Sequence, residues 1–195
     1  MTDQPLFALP FEEILRRTAA RTSYPGGGAA SAMACATAAS LVAMAGRFTG
    51  DAAADAVARA ETAIDELAGL AQADAEAFGE LLAAWRIPRE EPGRQERVAA
   101  AALHASQVPL RICRIGVELA RHAAWLAREG KADLRGDAYT AAELARAGVR
   151  SAAQLVELNA CQATDPEAAD EARRLVDLIT ALADEMERAA RGSAQ

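Results

Sequence analysis

The chain has 195 residues, 52% apolar and 25% charged, a balance that supports a buried core and excludes a disordered chain. Alanine supplies 53 residues and the aromatics only eight, which excludes a β-sandwich or a doubly wound sheet and points to close-packed helices. A net charge of −7 excludes an extended basic surface, so no nucleic-acid partner is expected.

The first predicted helix runs from about Leu9 to Arg21, with Phe11, Ile14, Leu15 and Thr18 on one face. Pro25-Gly26-Gly27-Gly28 breaks the chain, and a second helix follows from about Gly28 to Thr49. From Thr22 to Gly46 there are 25 residues without a charge, long enough to be weighed as a membrane span. The internal PGGG and the excess of Ala, Gly, Ser and Thr favour a helix buried in a soluble bundle, so no membrane partner is expected. Gly50-Asp51 is a stop followed by a cap, and a long third helix covers about Ala52 to Arg86. Pro88 to Gly93 is the most polar connection and reads as an exposed loop. The fourth helix spans about Arg94 to Glu129, where Pro109 removes a backbone donor and predicts a kink or a break. Gly130 ends it. A fifth helix runs from about Gly136-Asp137 to Ala160, and Thr164-Asp165-Pro166-Glu167 opens a sixth that reaches about Arg191. With no internal repeat or low-complexity linker, residues 1–195 read as one all-α domain, a bundle of about six helices.

Cysteines Cys35, Cys113 and Cys161 are odd in number and far apart, unsuited to a disulfide framework. His104 and His122 lie 18 residues apart, roughly 27 Å along one helix, so they cannot share a metal. The N-terminal segment lacks a basic n-region and a long apolar core. A cytoplasmic protein without a metal is the expectation.

Within the third helix, Val57, Ala60, Ile64, Leu67, Ala71, Phe78, Leu81 and Trp85 form a three-four seam, and Asp74 occupies a position in it. A carboxylate there is at least partly buried. Two readings stand: a positioned acid or base with a perturbed pKa, or a structural acid bonded to a neighbouring helix or an arginine. Gly26, Gly27 and Gly28 permit positive φ and close backbone approach, and at a helix start their N–H groups make an anion site. The plainer reading is a tight turn that lets the second helix pack. Asp137 at the start of the fifth helix reads first as a cap. Arg47, near the end of the second, reads first as compensating the helix dipole.

Taken in order, these residues resemble the cyclodeaminase domain of formiminotransferase-cyclodeaminase and the stand-alone bacterial methenyltetrahydrofolate cyclohydrolases. The family's PGGGS and GRLT elements read here as Pro25-Gly26-Gly27-Gly28-Ala29 and Gly46-Arg47-Phe48-Thr49. Its D-A-x-A-F run is Asp74-Ala75-Glu76-Ala77-Phe78, L-P-K is Ile87-Pro88-Arg89, and V-P-L is Val108-Pro109-Leu110. The G-N…R-S-D segment becomes Gly130-Lys131 through Arg135-Gly136-Asp137, and N-V-x-x-N becomes Leu155-Val156-Glu157-Leu158-Asn159. Ala29, Lys131, Gly136 and Leu155 replace polar residues of the family pattern.

The resemblance implies an all-α bundle that works as a dimer or higher homo-oligomer and takes a tetrahydrofolate derivative as substrate, without a metal. It implies hydrolysis of 5,10-methenyltetrahydrofolate to 10-formyltetrahydrofolate, preferred here because no formiminotransferase half accompanies the chain. The alternatives are ammonia-releasing closure of formiminotetrahydrofolate, and a diverged member with another substrate or no catalysis. By position, Asp74 and Asp137 carry catalysis. Gly26, Gly27 and Gly28, with Arg47, Arg89 and Arg135, hold the substrate. Tyr24, Phe78, Trp85 and Tyr139 are the rings to find beside a pterin.

Overall fold

The computed structural model describes residues 4–192. Six α-helices carry the fold: α1 (Phe11–Thr18), α2 (Gly27–Thr49), α3 (Ala54–Trp85), α4 (Arg94–Glu129), α5 (Arg135–Ala163) and α6 (Pro166–Gly192). Short 3-10 turns at Leu6–Ala8, Asp51–Ala53 and Ala132–Leu134 precede α1, α3 and α5. No strand occurs among the described residues, as the alanine excess predicts.

The apolar α2 lies against α3, α4 and α5, while α6 packs on α4 and α5. By length and apolarity α2 is the one helix among the described residues that could cross a membrane. Here it is a core helix, and Ala29, Ala32, Cys35, Ala38, Ala39 and Val42 have no exposed surface. Small side chains let its neighbours come close. A Cβ on Gly148 of α5 would stand 2.9 Å from the Ser31 carbonyl oxygen and 2.5 Å from Cys35 Sγ, both on α2. Gly116 of α4 is filled in the same way by Val149 and Cys35. The Arg59 guanidinium ties α3 to α4 through Glu118, and Arg114 ties α4 to α6 by a two-pronged bond to Glu171 at 2.6 and 2.8 Å.

Two elements differ from their predicted form, and at Pro109 a break is excluded. The first helix stops at Thr18, not Arg21, because residues 19–25 form bends in which Thr22 Oγ1 bonds the Tyr24 carbonyl at 3.0 Å. The α3 seam is shifted by one residue over part of its length: Ala56, Ala63, Ala77 and Ala84 take the buried positions, and Val57, Ile64 and Phe78 flank them half-buried. Alanines occupy the contact line because helix backbones approach most closely there. Finally, α4 is unbroken across Pro109. The sixth helix starts as its sequence signal suggests, with Asp165 Oδ1 accepting the Ala168 N–H at 3.2 Å and Pro166 in the first turn.

Candidate active site

At one end of the bundle, the start of α2, the second half of α3, Ala105 in the first third of α4 and the end of α5 enclose a cleft of about 500 Å3. Two of its walls come from simple periodicity. On α3, Asp74, Phe78 and Trp85 continue the line of the buried Leu67 and Ala71, so the core seam opens into the cleft as it nears the helix end. On α5, Leu155, Leu158, Asn159 and Gln162 fall at i, i+3, i+4 and i+7, one helical face. The glycine turn closes the third side.

Asp74 lies directly on the first turn of α2. Its carboxylate accepts the Ala29 N–H, and a Cβ on Gly28 would overlap it. Gly28 is therefore needed for close approach, since none of the three glycines has a positive φ. Burial pushes the Asp74 carboxyl above the ordinary carboxylate value, and the Ala29 N–H bond pulls it partly back. An ionised carboxylate here gains from the positive end of the α2 dipole while losing water. The result is a basic carboxylate facing an apolar chamber. Its charge is felt nearby: Tyr24, half-buried, has its hydroxyl pushed up first by burial and then by Asp74.

The aromatic wall consists of Phe78 and Trp85, edge to face at 6.3 Å between ring centroids and 88° between planes. The Trp85 indole N–H donates to Gln162 Oε1 at 3.0 Å, which joins α3 to α5 across the cleft mouth. Arg94 donates to the Ile87 carbonyl at 2.8 Å and fixes the loop that follows. On that loop Arg89 is exposed, four residues beyond Trp85.

Of the residues singled out from the sequence, Asp74, Gly26, Gly27 and Gly28 come together in this cleft, with Phe78 and Trp85 beside them. Asp137, Arg135, Arg47, Arg89, Tyr24 and Tyr139 do not line it. Asp137 and Asn159 are 22 residues apart on α5, about 33 Å along the helix axis, so Asp137 lies at the opposite end of the bundle. There Arg135 donates to the Ala127 carbonyl at 3.0 Å and, with Tyr139, borders a smaller hollow. Arg47 is exposed and paired with Glu61. Sequence reading missed Ser23, Leu158 and Gln162 as cleft residues, and gave Asn159 no role. The four-residue face on α5 was a signal available for three of the α5 positions. Among the described residues no three His, Cys, Asp or Glu side chains form a group that could hold a metal.

Comparison with known proteins adds relatives. Residues 10–177 match the family model described as formiminotransferase-cyclodeaminase. A protein of Methylorubrum extorquens strain AM1 named methenyltetrahydrofolate cyclohydrolase is 32% identical over 186 residues, covering 89% of this chain and 88% of that one. The crystal structure of formiminotetrahydrofolate cyclodeaminase from Thermotoga maritima superposes with a TM-score of 0.88. It covers 97% of this chain and 100% of its own at 24% identity, a likeness of fold.

Proposed function

Because the chain belongs to the formiminotransferase-cyclodeaminase family, we propose that it is a folate-dependent one-carbon enzyme that hydrolyses 5,10-methenyltetrahydrofolate to 10-formyltetrahydrofolate. The observation that carries this reading is Asp74, a basic carboxylate held over a helix start within an apolar cleft walled by two rings. The methenyl bridge is a cationic amidinium, and a buried carboxylate stabilises that charge in the bound substrate. Asp74 then takes a proton from water as its oxygen bonds the bridge carbon. A tetrahedral carbinol forms between N5 and N10. Return of the proton to N5 as the N5–carbon bond breaks, with the carbinol hydroxyl releasing its own proton to solvent, leaves the formyl group on N10 and one proton in solution. Phe78 and Trp85 supply flat apolar surface for the pterin. Arg89, exposed on the loop that follows Trp85, is a cation available at this end of the bundle for the glutamate carboxylate.

The second reading is ring closure of formiminotetrahydrofolate with loss of ammonia, which passes through a tetrahedral carbon of the same kind. What favours hydrolysis is the 32% identical relative bearing the cyclohydrolase name. A homodimer belongs to the proposal, supported by apolar surface left exposed at Phe11, Leu15 and Phe48. A reducing cytoplasmic setting fits the three free cysteines. Incubation with 5,10-methenyltetrahydrofolate should consume its absorbance with 10-formyltetrahydrofolate as product. If neither this compound nor the formimino compound reacts or binds, the folate reading fails.

A further inference from the structure

Proline inside α4 leaves a debt in the hydrogen-bond ladder. In an unbroken α-helix the Ala105 carbonyl would accept the N–H of residue 109, and Pro109 has none. Ala105 and Pro109 are both buried, so water does not make up the loss. The missing donor comes from another helix: Asn159 Nδ2 of α5 reaches the Ala105 carbonyl oxygen at 2.9 Å.

This bond decides which way the Asn159 amide faces. A carbonyl oxygen is only an acceptor, so the NH2 group must point at Ala105 and Oδ1 must point the other way. Asn159 lines the cleft together with Asp74, Phe78 and Trp85. Among the described residues it makes no other hydrogen bond, and no buried side-chain oxygen or nitrogen lacks a partner. Its Oδ1 is therefore accessible and unpaired in the protein, an acceptor with fixed orientation in an apolar chamber.

We propose that Asn159 is a ligand-binding residue whose amide oxygen, oriented by the carbonyl that Pro109 leaves without a helical donor, accepts a hydrogen bond from a ring N–H of the bound substrate. The inference rests on the folate reading and gives it a binding contact. Pro109 is a positioning residue, acting through Asn159 from a different helix. The cleft then offers two acceptors, Asp74 and Asn159, beside one aromatic wall. Its ligand class is a flat heterocycle that carries N–H donors on its edge, as a reduced pterin does.

A double-mutant cycle separates this from a merely structural proline. Asn159→Leu should raise KM for 5,10-methenyltetrahydrofolate about tenfold, the loss of one hydrogen bond, with kcat within about twofold. Pro109→Ala restores the backbone donor and frees the amide to rotate, so KM rises by about threefold or more. In the Asn159→Leu background, Pro109→Ala should change KM no further. The double variant carries its own backbone donor for Ala105, so it folds even where the single Asn159→Leu does not. Melting gives an independent readout: Asn159→Leu lowers Tm by about 2–4 °C in the Pro109 protein and by less in Pro109→Ala. Wild-type KM in a folded Asn159→Leu protein, or an equal effect of Pro109→Ala in both backgrounds, overturns the proposal. Should the wild-type chain bind no folate, the ligand class is overturned with the parent reading, while a coupled melting cycle still upholds the fixed amide.

Discussion

Asp74 shows how one side chain's surroundings set both its chemistry and its cost. Burial raises its pKa, so between the ordinary carboxylate value and its own the folded chain holds a proton that the unfolded chain releases. Stability from that proton is present at low pH and is lost as pH rises through the folded pKa. At neutral pH the ionised group is thus a net burden on the fold, the cost expected of a carboxylate placed for the proposed chemistry. Asp74→Asn keeps an oxygen for the Ala29 N–H and removes the charge. It should cut kcat by about 10²–10⁴-fold, while Tm at pH 7–8 equals or exceeds that of wild type. The Tm gap should close as pH falls below the ordinary carboxylate range. Full activity in a folded Asp74→Asn protein would leave Asp74 a structural acid only. The seam spacing on α3 placed Asp74 half inside the bundle. That its oxygens rest on Gly28 and Ala29 was not legible, because it depends on how two helices meet.

The helices themselves were largely written in local chemistry. Gly50 and Gly93, both with positive φ, mark the turns that the sequence reading placed there, and Asp165 with Pro166 starts α6. What local rules do not contain is how far apart two axes stand. Gly148 illustrates this: in sequence it is a poor helix residue, and in the bundle it is the point where α5 meets the α2 backbone. Gly148→Ala should cost about 1–3 kcal/mol in urea unfolding, because the Ser31 backbone cannot give way as a flexible side chain would. Gly79 on α3 is the control, exposed with nothing within 4 Å of its Cβ site. Gly79→Ala should stabilise by about 0.5–1 kcal/mol. An equal response at the two glycines would mean that close packing is not what the first one provides.

Across the whole molecule, the residues singled out by family pattern divide between two ends. Asp74, Gly26–Gly28 and the aromatic wall sit at one end, with Asp137, Arg135 and Arg47 toward the other. A single folate cannot place its reacting carbon at both. Asp137→Asn should therefore leave kcat/KM within about threefold, the range of an ordinary surface change, in the same assay that detects the Asp74→Asn loss. A loss as large as that of Asp74→Asn would mean that the α5 start of a second copy reaches this cleft, and would make the assembly part of the active site.

Composition and periodicity by themselves determined the helical class, the six main elements, the Asp165-Pro166 start of α6 and the half-buried station of Asp74. These rest on interactions within a few residues, which the chain carries wherever it folds. Asp51 and Asp137, read as caps, make no capping bond among the described residues. Only the tertiary structure decided which motifs share a space. Pro109 and Asn159 are 50 residues apart and join through one carbonyl. Asp137 belongs to the same family pattern of motifs as Asp74 yet stands at the other end of a long helix. Distance along a rigid helix grows by 1.5 Å per residue, and the crossing of helices, set by where alanine and glycine allow backbones to touch, selects which stretches meet.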